Sequence, residues 1–267
     1  MQTNTIKHKL KEGGTVLGTC LTDYASPEFV TILKAAAFDF FFIDTEHSPI
    51  DYREIQTLVR VSRAADVMPV VRVTQSEYFL IARTLDMGAM AIIAPRIHSV
   101  EQGRSVVDAM KFPPLGNRGY GMRNIITDFN YRGAQAEMDS ANDETMVILQ
   151  MESRECVDAI HDITAIPGVD AIMVGPFDLS VSLGIPGDFE SPIFWDAFDR
   201  MVDACNKNGV APGVHMGSMP LLKKAQEHGA RYLVFGSDVS VLLSGLKAIR
   251  AEVPVGEAVA ANKSGYM

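Results

Sequence analysis

The sequence is poor in cysteine. Only Cys20, Cys156 and Cys205 occur in 267 residues. An odd, low count describes no disulfide framework and predicts a reducing, cytoplasmic setting. No CxxC pair exists, which argues against a thiolate zinc site. Basic residues are also outnumbered: 24 Lys and Arg stand against 33 Asp and Glu, for a formal net charge of −9. A nucleic-acid binder needs the opposite sign, so no nucleic-acid partner is expected. Long apolar runs are missing. None approaches the ~20 residues of a membrane helix, and the N-terminus has no apolar core of a secretory signal. No membrane partner is expected. Walker, HExxH and GxSxG motifs are absent. Gly116-Asn117-Arg118-Gly119-Tyr120-Gly121 is glycine-rich but lacks dinucleotide-binding spacing and follows no strand directly.

What is present is alternation. Hydrophobic residues make up 47%, enough to bury a core. Short Val-, Ile- and Phe-rich runs predict strands near 15–21, 38–44, 68–73, 89–95, 145–151, 169–175, 210–216 and 231–236. Segments of helical spacing lie between them, at 27–37, 51–65, 76–87, 99–110, 153–163, 192–208 and 218–228. Ile55, Leu58, Val59 and Ser62 mark one apolar face. Ser26 before Pro27 reads as an N-cap, and Gly229 as a helix stop. Eight strand–helix units predict a parallel sheet, closed as a single TIM (β/α)8 barrel over 1–267. A doubly wound open sheet is the alternative. Two regions break the rhythm: a long loop at 111–144 and a tail at 254–267.

In such a barrel the active site lies at the C-terminal ends of the strands. Strand ends here carry Asp44-Thr45-Glu46-His47, Arg72, Gln150-Met151-Glu152 and Gly175-Pro176-Phe177-Asp178. Glu152 and Asp178 supply hard oxygen donors and point to a divalent metal, Mg²⁺ or Mn²⁺. Two ordinary loop carboxylates, one beside the helix starting at Ser153, are the alternative. His47 with Asp44 reads as a base and its orienting carboxylate, against an ordinary loop histidine. Arg72, on an apolar strand, needs an anionic partner: a substrate oxyanion, Glu46, or both. Amides in the 175–178 turn could hold a carboxylate. Cys20 is expected to be a buried structural residue rather than a nucleophile.

Several stretches together resemble a known family. They are Ile43-Asp44-Thr45-Glu46-His47-Ser48-Pro49, Val70-Val71-Arg72-Val73, Leu85-Asp86-Met87-Gly88-Ala89, the 113–121 loop, Gln150-Met151-Glu152-Ser153, Gly168-Val169-Asp170 and Gly175-Pro176-Phe177-Asp178-Leu179-Ser180, with Leu183-Gly184. In this order they cover most of the chain. The chain resembles the metal-dependent pyruvate aldolases of the 4-hydroxy-2-oxoheptane-1,7-dioate and 2-dehydro-3-deoxyglucarate aldolase (HpcH/HpaI) group. The resemblance implies a class II aldolase that cleaves a 4-hydroxy-2-oxo acid to pyruvate and an aldehyde. It implies metal binding by Glu152 and Asp178, with Mg²⁺ or Mn²⁺ preferred and Co²⁺ or Zn²⁺ as alternatives. Arg72 would neutralise the enolate oxygen, and His47, assisted by Asp44, would move the proton. Gln150 and the turn Gly175, Pro176, Phe177 and Asp178 would bind substrate. No Schiff-base lysine is required. The resemblance further implies a homo-hexamer, a dimer of trimers, with C-terminal helices swapped between neighbours.

Three positions depart from the family pattern. Phe177 replaces a small residue in the substrate turn, Ser48 a small apolar one, and His215 an apolar one. His215 either contacts the aldehyde or caps a strand. Two alternatives remain: related enolate chemistry on oxaloacetate or an acyl-CoA thioester, and a non-catalytic barrel. Retention of Glu152, Asp178, His47 and Arg72 disfavours the last.

Overall fold

The computed structural model describes residues 1–121 and 125–253. Eight strands run in order: β1 Val16–Leu21, β2 Phe40–Asp44, β3 Met68–Arg72, β4 Ala91–Ala94, β5 Met146–Met151, β6 Ala171–Val174, β7 Ala211–Met216 and β8 Tyr232–Ser237. Each is parallel to its neighbours, and β8 returns to β1, so the sheet is a closed barrel. The expected (β/α)8 architecture is therefore present, and the open-sheet alternative is not.

Among the described residues twelve helices accompany it: α1 Thr5–Lys11, α2 Pro27–Ala35, α3 Tyr52–Ala65, α4 Tyr78–Asp86, α5 Val100–Met110, α6 Ala134–Glu144, α7 Arg154–Asp158, α8 Ile160–Thr164, α9 Pro176–Ser182, α10 Pro192–Asn208, α11 Met219–Glu227 and α12 Asp238–Glu252. Local chemistry sets several boundaries. Ser26 caps α2, with Pro27 at its first turn. Asp51 and Glu54 form a capping box at α3, whose buried face carries Ile55, Leu58, Val59 and Ser62. Gly229, after α11, adopts φ 108°.

Two features correct the expected rhythm. The stretch 111–144 is not loop throughout: α6 occupies its last third, and a 3-10 turn lies at Ile125–Thr127. The weak amphipathicity of Ala134–Glu144 hides the helix from a periodicity reading. The expected helix over 153–163 is broken at Ala159 into α7 and α8. The tail at 254–267 lies outside the described residues. In glycine-rich 116–121, Gly116 and Arg118 are buried and the other four residues are exposed. Arg118 is buried, donates to Asp86 Oδ1 at 2.8 Å and lies over the Phe112 ring.

Strand parity divides the core. Phe40, Phe42, Met68, Val70, Met146, Ile148, Ala171 and Met173 fill the barrel interior. Their neighbours Phe41, Ile43, Val71, Val147, Leu149, Ile172 and Val174 pack outward against the helices. Phe40 and Tyr232 stack inside at 4.6 Å. Gly18 makes room for them, since a Cβ there would meet the Phe40 ring at 2.5 Å. At the N-terminal end, α1 plugs the barrel with Ile6 and Leu10. Among the described residues no helix is long and apolar enough to cross a membrane.

Candidate active site

The interior parity continues past the apolar layers. One inward step beyond Phe42 is Asp44, beyond Val70 is Arg72, and beyond Ile148 are Gln150 and then Glu152. Gly175 follows Met173, and His215 follows Ala211 by two inward steps. A period-two strand thus delivers apolar residues to the barrel centre and polar ones to its C-terminal mouth.

Register then pairs them. Asp44 and Arg72 are direct partners across β2 and β3. Arg72 Nε donates to Asp44 Oδ1 at 2.9 Å and Nη2 to Oδ2 at 2.6 Å, a bidentate ion pair. Burial pushes the Asp44 carboxyl up, but Arg72 and the amides of Glu46 and His47 outweigh it and hold it below the usual range. The other suggested partner of Arg72, Glu46, is secondary: its Oε2 lies 3.5 Å from Nη1.

The expected His47–Asp44 ring contact does not form. Both Asp44 oxygens are engaged by Arg72, and His47 reaches Asp44 only through its backbone N–H, at 3.4 Å. The His47 ring is 56% exposed, and Nε2 lies 3.8 Å from Glu46 Oε2. Glu46 is therefore the carboxylate within reach of the ring.

Glu152 Oε1 accepts the Arg96 N–H at 2.5 Å, and Oε2 accepts from Gln150 Nε2. Burial pushes the Glu152 carboxyl up, and the negative charges of Glu46 and Asp178 push it further. Among the described residues, the buried Gln150 Oε1 has no hydrogen-bond partner, and Glu46 Oε2 makes no hydrogen bond beyond its longer ion-pair contacts. A Cβ at position 175 would come within 2.7 Å of Gln150 Nε2 and 3.0 Å of Glu152 Oε2, so glycine leaves this space open. Asp178, on α9, is exposed at the rim.

The 175–178 turn offers fewer donors than expected. Gly175 N–H is committed to Met151 O at 3.0 Å, and Pro176 has none. Phe177 and Asp178 contribute the amides of the first turn, which no side chain caps. Phe177 is 68% exposed and meets Phe189 edge-on at 5.0 Å. Ser48 Oγ donates to Asp44 O and tightens the turn after β2. His215 Nε2 lies 2.9 Å from Gly236 O, and its ring meets Phe42 edge-on at 5.5 Å. Burial lowers its pKa, and the hydrogen bond to Gly236 O ties β7 to β8. Cys20 is buried, and burial drives its thiol pKa far up, which removes it as a nucleophile.

Sequence reasoning missed Arg96 and Asp238. Arg96 follows β4, has φ 58°, and joins Glu152 through its N–H and Glu46 Oε1 through Nε at 3.1 Å. Strain of order 1–2 kcal/mol attends such a backbone in a non-glycine residue. The strand-end rule applied to β4 would have found it. Asp238 accepts from Thr22, Asp23 and Tyr24 and pins the loop after β1. Nothing local in the sequence announces that long-range role.

Four carboxylates, Asp44, Glu46, Glu152 and Asp178, therefore stand with two guanidinium groups, Arg72 and Arg96. Among the described residues no group of three or more His, Cys, Asp or Glu forms a ready-made cage. Glu152 and Asp178, whose charges interact, are hard oxygen donors of the kind that would suit an open site. The orphaned Gln150 oxygen and the space above Gly175 fit a ligand there.

Known proteins share this arrangement of chain. The HpcH/HpaI aldolase/citrate lyase family profile matches residues 20–244. A hydroxypyruvate/pyruvate aldolase of Roseovarius nubinhibens is 32% identical over 240 residues, covering 90% of this chain and 93% of that one. A 4-hydroxy-2-oxo-heptane-1,7-dioate aldolase of Salmonella paratyphi C is 30% identical, covering 94% and 95%. The crystal structure of an HpcH/HpaI aldolase from Desulfitobacterium hafniense superposes with a TM-score of 0.88 at 35% identity, over 94% of this chain and 98% of that one. A solved citrate synthase superposes with a TM-score of 0.80 at 30% identity, over 92% and 95%. With nearly the whole barrel matched in sequence and in fold, this chain belongs to the HpcH/HpaI aldolase/citrate lyase family.

Proposed function

We propose that this protein is a divalent-metal-dependent carbon–carbon lyase that reversibly cleaves a 4-hydroxy-2-oxo acid to pyruvate and an aldehyde. The observation that carries the reading is the charge at the mouth. Its acids exceed its guanidinium groups by two, the charge of one divalent cation. Glu152 and Asp178 would hold that cation, Mg²⁺ or Mn²⁺ by the hardness of the donors, with Co²⁺ or Zn²⁺ as alternatives. When bound, it supplies Lewis-acid polarisation of the 2-oxo group.

The chain's own groups do the rest. Arg72, fixed by Asp44, presents positive charge where negative charge develops on the enolate oxygen. Gln150 orients Glu152, and the amides of Phe177 and Asp178 face the substrate carboxylate. Phe177, exposed at the rim, would line the aldehyde side. His47, with Glu46 Oε2 3.8 Å from its ring, takes the proton of the 4-hydroxyl as the bond between carbons 3 and 4 breaks. It returns a proton to carbon 3 to complete pyruvate.

The test is pyruvate release from several 4-hydroxy-2-oxo acids after chelation and after return of Mg²⁺ or Mn²⁺. Activity should vanish and return; no pyruvate with any metal would sink the reading. The solved citrate synthase favours a second reading, the same enolate chemistry on oxaloacetate or an acyl-CoA thioester. Oxaloacetate in the same assay distinguishes it.

The assembly we propose is a homo-hexamer with exchanged C-terminal helices. In α12 only Asp238 is buried, while Leu242, Leu243, Leu246 and Ile249 are exposed. Beside it an apolar pocket of about 420 Å³ opens against Phe29, Ile32 and Leu33 of α2. Light scattering should report a hexamer for the native chain and smaller species for Leu242→Ser/Leu246→Ser; a native monomer would refute the assembly. The three free, buried cysteines support a cytoplasmic setting.

A further inference from the structure

The reaction outlined above makes no use of the Arg96 guanidinium, although it stands at the same mouth. The backbone at Arg96 lies in the left-handed region, with φ 58°. Its N–H serves Glu152 at 2.5 Å. A glycine would adopt this backbone without strain and offer the same N–H. The side chain is therefore the feature that needs a reason.

That side chain is under-used. Nε–H donates to Glu46 Oε1 at 3.1 Å. Among the described residues, neither Nη group has a hydrogen-bond partner, and the side chain is 67% exposed. Guanidinium carries five N–H donors, and its fork matches a carboxylate in two parallel bonds. The Arg72 fork already has such a partner in Asp44. Arg96 therefore offers free forked donors beside Glu152, Glu46 and Asp178, whose charges it feels. A second carboxylate arriving at this acid-rich rim would be repelled without a local cation.

We propose that Arg96 binds a carboxylate at the far end of the aldehyde half of the substrate, so that the protein prefers 4-hydroxy-2-oxo acids whose aldehyde product is itself an anion. The proposal rests on the lyase reading above for its substrate class. It does not rest on it for the binding event, which is measurable without turnover.

Two experiments test it. In the aldol direction, pyruvate is joined to glyoxylate, which is anionic, or to glycolaldehyde, a neutral aldehyde of similar size. In Arg96→Gln the ratio of kcat/KM for glyoxylate to that for glycolaldehyde should fall roughly tenfold or more, the scale of a lost charged hydrogen bond. The fall should lie mainly in the KM for glyoxylate. Arg96→Lys, which keeps the charge and loses the fork, should recover part of it. An equal fall with both aldehydes would show that Arg96 only positions Glu46 and Glu152, and would overturn the proposal.

Calorimetric titration of the Mg²⁺-loaded protein with 2-oxoglutarate and 2-oxopentanoate compares a charged with a neutral tail. Native protein should bind 2-oxoglutarate more tightly, and Arg96→Gln should abolish the difference. Equal binding of the two by native protein would refute the proposal even if turnover is normal. A preference that vanishes in Arg96→Gln, with no turnover of any substrate, would instead refute the lyase reading and leave the anion site standing.

Discussion

The two ends of the barrel both bury charge, and they treat it differently. At the N-terminal floor, Lys7 donates to Thr145 O at 2.8 Å and pairs with Asp170 at 3.1 Å. Lys111 donates to Asn142 O at 2.7 Å, to Thr145 O at 2.6 Å and to Thr145 Oγ1 at 3.1 Å. Asn4 caps α1 through Oδ1 and donates to Met90 O and Glu144 O, both at 3.0 Å. Each of these side chains has at least two polar partners. At the C-terminal mouth, among the described residues, Gln150 Oε1 is buried without a hydrogen-bond partner, Glu46 Oε2 has only longer ion-pair contacts to Arg72 and His47, and Arg96 sits on a strained backbone. A buried polar group left unpaired costs about 1–3 kcal/mol. The floor thus spends its polar groups on closing the barrel, whereas the mouth keeps donors and acceptors in reserve for a ligand.

The sharpest way to break this contrast is Glu152→Gln. Pyruvate release should fall by at least roughly 10²-fold, the scale for removing a group that stabilises developing charge. Thermal melting should show equal or higher stability, because burial and neighbouring acids already disfavour the Glu152 charge. Loss of stability instead would mean that the mouth is built like the floor.

Asn4→Ala probes the opposite end. It removes a helix cap and two buried donors, so stability should drop by about 2 kcal/mol, or roughly 4–8 °C in the melting temperature. Activity per folded molecule should be unchanged. A comparable loss of kcat with unchanged melting would erase the distinction between the two ends.

A third test, read from a pH slope rather than from activity, concerns Lys111. Burial pushes its pKa down; Asp170 opposes this and Lys7 reinforces it, leaving it at about 7. An unfolded lysine titrates near its ordinary 10.5. Protonation therefore opposes folding: the penalty is fully present below about pH 7 and fades as pH rises toward the unfolded value. Urea titrations of native protein should gain stability from pH 7 to 9, with a slope of at most about 1.4 kcal/mol per pH unit. Lys111→Met should flatten that slope. A native slope of opposite sign would show that the floor favours the charged lysine.

All eight strands were legible because each is a short apolar run bounded by turn residues, and six of the seven expected helices appear as single elements. The exception, 153–163, breaks at Ala159. α6 escaped because Ala134–Glu144 is mostly polar and buries few side chains. The acidic and basic residues of β2, β3, β5 and β6 were legible as a site because strand parity sends them to one end. Arg96 was not, because β4 is apolar to its end and Arg96 lies beyond Pro95, outside the strand's alternation.

By itself the sequence determined which residues point inward, since alternation along a strand is a local consequence of backbone geometry. It therefore placed Asp44, Arg72, Gln150 and Glu152 at a common mouth. Only the closed barrel decided who pairs with whom. The β2–β3 register sets Asp44 against Arg72 and leaves His47 to Glu46. The strained turn after β4 carries Arg96 onto Glu152, 56 residues away in the chain. Such contacts depend on inter-strand register and closure, which one strand's pattern does not contain.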